Sequence, residues 1–178
     1  MIHRIKSFFK NKNYNDPALN LNCSEFEVNN FIISEFVAEK LFPITGAIPF
    51  PLSELMLMTA AVCRFKPDVI FEWGTNIGKS ARVFYEITKA FNIDSEIHSI
   101  DLPDDISHNE HPKEKRGIMV KGLNKVHLHQ GDGVTKAIEI YNSISSKKPR
   151  VLFFVDGDHS YESVIRELRE ILKSVNNP

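Results

Sequence analysis

The stretch that most constrains the fold runs from Val69 to Ser80 and reads VIFEWGTNIGKS. Its apolar start predicts a β-strand, and the part from Glu72 onward predicts a tight turn that leads into a helix. Gly74 and Gly78 carry no Cβ, so a ligand can approach the main chain there and meet the free N–H groups at the start of the helix. The stretch therefore predicts a ligand-binding strand–turn–helix unit.

Strand and helix patterns alternate from this stretch to the end of the chain. We expect four strands, at residues 69–73, 96–103, 126–132 and 150–158. We expect helices at residues 79–91, 134–141 and 161–175, with a loop and a short helix between the second and third strands. This alternation is typical of an α/β fold with a mostly parallel sheet. The apolar fourth strand should be buried on both faces.

The chain before the first strand predicts two helices. The first should run from residue 24 to about residue 40, with Ser24 as its cap. A loop at residues 44–51 follows, in which prolines exclude a central strand, and the second helix should then reach residue 65.

The length and composition fit one globular domain. The 178 residues carry a formal net charge of -1 and are 42% hydrophobic. Without a global basic field, nucleic acid is not expected to be a primary partner. Within the single domain we expect an N-terminal helical extension and loop at residues 1–50 and an α/β domain at residues 51–178.

The cysteines and apolar segments predict a cytoplasmic protein. Cys23 and Cys63 have neither a metal-binding nor a redox spacing, which indicates a reducing compartment. No apolar run approaches the length of a membrane span. Residues 1–10 alternate apolar and basic side chains, a pattern that fits either a frayed or docked helix or a segment resting on an anionic membrane surface.

Acidic residues follow all four predicted strands. They are Glu72, Asp101, Asp132 and Asp156. The ligand crevice of an open parallel α/β sheet lies outside the carboxyl ends of its strands, so these acids should converge on one rim. Asp101 lies where an acid can accept both hydroxyls of a ribose. Four carboxylates would repel a pyrophosphate and suit a ligand with a ribose, an adenine amine and positive charge, such as S-adenosylmethionine.

Four motifs, in this order along the chain, carry a resemblance to a known family. They are FEWGTNIGKS at residues 71–80, SIDLP at 99–103, QGD at 130–132 and VDGDHSY at 155–161. Together they resemble the motifs of class I S-adenosylmethionine-dependent methyltransferases. The nearest likeness is to the small-molecule O-methyltransferase-like group with an E-x-G-T-x-x-G-x-S loop and a D-G-D-H-S-Y element. The resemblance spans about residues 52–175 and implies a Rossmann-like, doubly wound, mostly parallel sheet with four strands in the order 3-2-1-4. It also implies methyl transfer to a small-molecule acceptor, at oxygen.

The resemblance also implies which residues bind the cofactor. Five residues would surround the amino-acid end of S-adenosylmethionine: Glu72, Gly74, Thr75, Gly78 and Ser80. Asp101 would hold the ribose hydroxyls, and Gly131 with Asp132 would lie at the adenine.

The D-G-D-H-S-Y element would face the methyl group and the acceptor, which makes Asp156 and His159 the candidate catalytic residues. His159 fits a general base for an acceptor hydroxyl, and it equally fits a helix-start residue that hydrogen-bonds to the rim. In metal-dependent members of the family the acid after strand four is one ligand of a divalent ion, so a divalent metal at Asp156 stays open. The other ligands in those members follow a fifth strand, which this sequence lacks, and no metal-binding residues are predicted.

Two other functions stay open. The sequence also resembles a P-loop nucleotide-binding protein at residues 74–80 and 151–156. A P-loop has four residues between its first glycine and the Gly-Lys pair, whereas this sequence has three. The family fold continues into further strands that cover strand four, whereas this sequence stops at Pro178, so a truncated, non-catalytic S-adenosylmethionine-binding protein is the second alternative. The exposed edge of strand four should be covered by the N-terminal segment or by another chain, and the latter predicts a homo-oligomer.

Overall fold

The computed structural model describes residues 13–22, 27–106, 112–144 and 149–175. Its strands are β1 (Val69–Trp73), β2 (Glu96–Asp101), β3 (Val126–Gln130) and β4 (Val151–Val155). Its helices are α1 (Asn30–Phe36), α2 (Phe42–Thr45), α3 (Leu52–Phe65), α4 (Lys79–Ala90), α5 (Gly133–Ile144) and α6 (Tyr161–Ser174). A π-helical turn (Val37–Leu41) joins α1 to α2, and a 3-10 helix (Lys113–Lys115) precedes β3.

The four strands form one parallel sheet in the order β3-β2-β1-β4. On β1, Glu72 lies opposite Ser99 of β2 and Phe154 of β4. The predicted Rossmann-like α/β fold and its strand order are therefore confirmed. The second, third and fourth strands end two or three residues earlier than predicted, at Asp101, Gln130 and Val155.

The central strand β1 is buried on both faces, as a strand between two helical layers must be. Ile70 packs in the core formed with α1, α3 and α4, while Phe71 packs in a second core with α5 and α6. Both side chains are fully buried, and each contributes about 1.5–3 kcal/mol by leaving water. Cys63 of α3 is a free thiol in the first core, where burial raises its pKa to about 12. Among the described helices, none is long and apolar enough to cross a membrane.

The N-terminal helix departs from its predicted bounds. The expected cap, Ser24, lies outside the described residues, and the helix instead begins after Asn29, whose side chain accepts the N–H groups of Phe31 (3.1 Å) and Ile32 (3.3 Å). Asparagine caps a helix as well as serine does. The helix also passes residue 40 through the π-helical turn and ends at Gly46, which has a φ of 67°.

The prediction that β4 is buried on both faces is wrong. All five of its residues are only half-buried, because β4 pairs with β1 alone among the described strands. Its rings still contact both cores: Phe153 stacks on Phe71 at 5.5 Å between ring centroids, and Phe154 packs against Phe84 at 5.4 Å and Phe50 at 6.1 Å.

Candidate functional site

The loop between β1 and α4 holds its two glycines in the left-handed region, with φ values of 92° at Gly74 and 86° at Gly78. A Cβ on Gly74 would lie 2.2 Å from the backbone oxygen of Asp156. A Cβ on Gly78 would lie 3.0 Å from Val120 Cγ2 and 3.1 Å from Gly117 Cα. Contact with the protein's own backbone is therefore enough to require glycine at both positions.

Most N–H groups of this loop are bonded within the protein. Gly74 N donates to Ile100 O at 3.0 Å, and Gly78 N donates to Thr75 O at 2.7 Å. Asn76 N donates to Asp101 Oδ2 at 3.1 Å. The loop is thus held against the end of β2.

Beneath the loop lies a buried hydrogen-bond network around Glu72, which is inaccessible to solvent. Ser80 Oγ donates to Glu72 Oε2 at 2.6 Å, and Ser99 Oγ donates to Oε1. The hydroxyls of Ser99 and Thr75 are 2.6 Å apart. The structure therefore brings three predicted residues together, and it adds Ser99, a polar residue directly opposite Glu72 on the neighbouring strand.

The surroundings of Glu72 change its acidity. Burial raises its pKa to about 7, although the hydrogen bonds from Ser80 and Ser99 lower it. The carboxylates of Asp156 and Asp101 raise it further. Two of the other predicted rim acids therefore lie within electrostatic reach of Glu72.

Asp101 lies beside the glycine loop, at the end of β2, as predicted. Its Oδ1 accepts the N–H of Leu102 at 2.9 Å, and its Oδ2 accepts the N–H of Asn76 at 3.1 Å and Arg116 Nε at 3.3 Å. Sequence reasoning missed Arg116, which lies 15 positions away in an irregular segment. Arg116 Nη1 also donates to Asp104 Oδ1 at 2.7 Å.

The residues after β3 connect three elements. Gly131 N donates to Asp101 O at 2.9 Å. Asp132 caps α5 by accepting Thr135 N at 3.1 Å and Thr135 Oγ1 at 2.6 Å, and it also accepts Arg166 Nη2 of α6 at 2.8 Å. The Arg166 hydrogen bond is the main cause that lowers the pKa of Asp132 to about 2. The Asp132 carboxylate thus has structural partners, while its side chain is still 45% exposed.

Trp73 is a further residue of this region that sequence reasoning missed. A Cβ on Gly133 would lie 2.4 Å from Trp73 Cγ, and a Cβ on Gly157 would lie 2.9 Å from Trp73 Cδ1. The indole is buried between the two backbone segments that follow β3 and β4. A large ring at the end of the central strand, with glycines just after two other strands, is the signal that could have revealed it.

The element after β4 is more exposed. Asp156 is half-buried, and its Oδ1 lies 4.0 Å from Nε2 of His159, whose side chain is 79% exposed. Burial raises the pKa of Asp156, His159 lowers it, and Glu54 of α3 raises it. Asp158, by contrast, is structural: it accepts Ser160 N at 2.9 Å and Ser163 Oγ at 2.5 Å at the start of α6.

A family model described as rhamnosyl O-methyltransferase/CmcI matches residues 45–177, which is well over half of the chain. The chain belongs to this family. Its motif-based resemblance to class I S-adenosylmethionine-dependent O-methyltransferases is thereby confirmed. The matched region includes residues 74–80 and 151–156, the two segments of this family member that also resemble a P-loop protein.

Solved structures of CmcI are also similar to this member of the rhamnosyl O-methyltransferase/CmcI family. One, titled as containing SAH, has 16% identity and a TM-score of 0.49, with 68% of this chain and 54% of that chain covered. Another, titled an apo-structure, has 19% identity and a TM-score of 0.46, with 68% and 46% covered. The chain therefore spans about half the length of these solved chains. No curated protein matches the sequence.

Proposed function

We propose that this chain binds S-adenosylmethionine at the carboxyl ends of β1–β4 and acts in methyl transfer to an oxygen of a small-molecule acceptor. The observation that carries the proposal is the convergence of Glu72, Asp101 and Asp156 around a glycine loop, in a member of an O-methyltransferase family. An acidic rim favours a cofactor whose sulfonium and ammonium groups are positive.

The described residues fit such a cofactor. Asp101, fixed beside the loop, would accept ribose hydroxyls. The nearest atom to a Cβ on Gly131 would be 3.5 Å away, so an adenine could lie beside Gly131 and Asp132. Glu72, Gly74, Thr75, Gly78 and Ser80 would form the wall at the amino-acid end. In that position Glu72 would act through Ser80 and Ser99, because both of its oxygens already accept their hydroxyls.

The catalytic part of the proposal concerns Asp156 and His159. Bound S-adenosylmethionine supplies an electrophilic methyl group. Transfer of this methyl group to the acceptor oxygen would break its bond to sulfur and leave S-adenosylhomocysteine. The His159 imidazole would take the proton of the acceptor hydroxyl at Nδ1, with Nε2 directed at Asp156. The Asp156 carboxylate would then stabilise the imidazolium.

Neither a metal nor a phosphate loop receives comparable support. Within the described ranges, no group of three or more His, Cys, Asp and Glu side chains is arranged to hold a metal ion, so we derive no step through one. The N–H groups of Gly74, Asn76 and Gly78 are bonded within the protein, whereas a phosphate loop needs such groups free. A chain that binds S-adenosylmethionine without turnover is the alternative that the activity assay must test.

The remaining parts of the proposal concern partners and location. The half-buried β4 edge supports pairing with a second copy of the chain, which light scattering would detect as a dimer. The net charge of -1 supports a protein without a nucleic-acid partner. The buried free thiol of Cys63 is compatible with the cytoplasmic location that we propose.

Calorimetry with S-adenosylhomocysteine tests the cofactor assignment. We expect binding to the full chain, and a loss of about 10-fold or more for Asp101→Asn, because a ribose hydroxyl loses a charged acceptor. A matched control is Arg150→Ala, which breaks the Arg150–Asp68 pair (Nη2 to Oδ1, 3.4 Å) at the opposite end of the sheet. Binding of ATP with magnesium, and no binding of S-adenosylhomocysteine, would overturn the assignment.

A further inference from the structure

The backbone of residues 116–120 packs along the glycine loop. Gly117 N donates to Asn76 O at 2.9 Å, and Met119 N donates to Ile77 O at 3.0 Å. The close approach of Gly117 to Gly78 continues this contact. We call residues 116–120 the loop-packing segment.

Arg116, the first residue of the loop-packing segment, joins it to the end of β2. Its side chain is only 10% exposed. Its guanidinium donates to three acceptors: Asp101 Oδ2 at 3.3 Å, Asp104 Oδ1 at 2.7 Å and Leu102 O at 2.6 Å. Asp104 Oδ2 in turn accepts Gln130 Nε2 of β3 at 2.9 Å. One planar fork therefore connects the glycine loop, the end of β2 and the end of β3.

The hydrogen bonds of Asp101 determine what it can still accept. A carboxylate has about four acceptor sites. Among the residues that the structure describes, Asn76 N and Arg116 Nε donate to Oδ2, while Leu102 N alone donates to Oδ1. Oδ2 is therefore filled by the protein, and Oδ1 keeps capacity for a ligand hydroxyl.

We propose that Arg116 is a positioning residue of the cofactor site, which fixes the Asp101 carboxylate so that Oδ1 accepts a ribose hydroxyl of an adenosyl cofactor. This inference rests on the function proposed above. A ribose is uncharged, so the fork geometry of Arg116 should matter more than its charge. Lysine keeps the charge and cannot donate to Asp101, Asp104 and Leu102 O from one plane.

Calorimetry on the full chain tests the inference with two variants and two ligands. The variants are Arg116→Ala and Arg116→Lys, and the ligands are S-adenosylhomocysteine and its analogue without the two ribose hydroxyls. We expect each variant to bind S-adenosylhomocysteine about 10-fold more weakly, since one charged hydrogen bond is lost or misdirected. Affinity for the dihydroxyl-free analogue should change less than about 2-fold, because that ligand does not use Asp101.

A double-mutant cycle with Asp101→Asn separates positioning from a general structural effect. In the Asp101→Asn background, Arg116→Lys should weaken binding less than about 2-fold, because the group through which it acts is already altered. Arg150→Ala, an arginine–aspartate pair outside the site, should leave both ligands unaffected. Thermal unfolding without ligand identifies any variant that does not fold. If Arg116→Ala does not fold, the test is carried out with Arg116→Lys alone.

Two results would overturn the inference. One is an equal loss of affinity for both ligands, which would mean that Arg116 only supports the fold. The other is tighter binding by the Arg116 variants, which would mean that Arg116 competes with the ribose for Asp101. If the unaltered protein binds no S-adenosylhomocysteine, the proposed function itself fails, and that outcome is distinguishable from both.

Discussion

The two halves of the rim differ in how firmly the protein holds its own polar groups. In the half formed by β1 and β2, Glu72 and Asp101 have every carboxylate oxygen hydrogen-bonded. In the half formed by β4 and α6, Asp156 has an ion-pair partner at 4.0 Å, and His159 is 79% exposed. The comparison teaches that the half proposed to bind the cofactor is fixed by the protein's own hydrogen bonds, whereas the half proposed to face the acceptor is held less firmly. Changes in the first half should therefore cost stability, and changes in the second should not.

Gly74→Ala should have the largest effect on stability, because Gly74 joins the two halves. The new Cβ would lie 2.2 Å from the Asp156 backbone oxygen, at a φ of 92°. We expect the free energy of unfolding to fall by about 3 kcal/mol or more. Urea unfolding measures this free energy, and Gly46→Ala is the control. Gly46 also has a positive φ, but no atom lies within 4 Å of the position that its Cβ would occupy. Equal losses in both variants would show that the contact with Asp156 is unimportant.

Glu72 should make stability depend on pH. Its pKa rises from 4.5 in the unfolded chain to about 7 in the folded protein, so the native state binds the proton more tightly. This contribution is fully present below about pH 4.5 and is lost as pH rises through 7, a change of about 3 kcal/mol. Urea unfolding of the unaltered protein and Glu72→Gln across this range should differ in slope. Parallel curves would mean that Glu72 is ionised throughout.

Asp132→Ala should cost less, about 1–2 kcal/mol, because it removes the cap of α5 and a partly exposed ion pair with Arg166. The pKa of Asp132 is lowered to about 2, so its contribution is present above about pH 3.8 and is lost as pH falls through 2. Thermal unfolding of Asp132→Ala beside Arg166→Ala separates the cap from the ion pair. If Arg166→Ala costs as much as Asp132→Ala, the cap contributes nothing.

His159→Ala should have the smallest effect on stability, below about 0.5 kcal/mol, because the side chain is exposed and makes one distant contact. Its effect on methyl transfer, once an acceptor is identified by screening, should be about 10²–10⁴-fold. Affinity for S-adenosylhomocysteine should stay unchanged. A variant with full activity would remove His159 as the general base.

The sequence predicted the fold better than the contacts of the site. Strand and helix periods are local, so the alternation predicted a parallel α/β sheet, and the family resemblance supplied the order β3-β2-β1-β4. The partners of the rim acids are not local: Ser99 lies 27 positions from Glu72, and Arg166 lies 34 positions from Asp132. No period or spacing connects such pairs before the sheet is assembled.

The error at β4 has a related cause. An apolar run predicts that both faces of a strand contact helices, and the rings of Phe153 and Phe154 do contact both cores. The burial of a strand also depends on whether it has a neighbouring strand on each side, and this is known only once the sheet is assembled. The assigned roles of the candidate site residues stay predictions until ligand binding is measured.

The glycine loop has a consequence for reading related sequences. Gly74 and Gly78 are required by contacts with Asp156, Gly117 and Val120, all of which belong to the protein itself. A descendant that had given up its cofactor would still need both glycines to fold. The two-glycine pattern is thus a marker of ancestry, and an acid at the position of Asp101 is the better marker of a retained ligand.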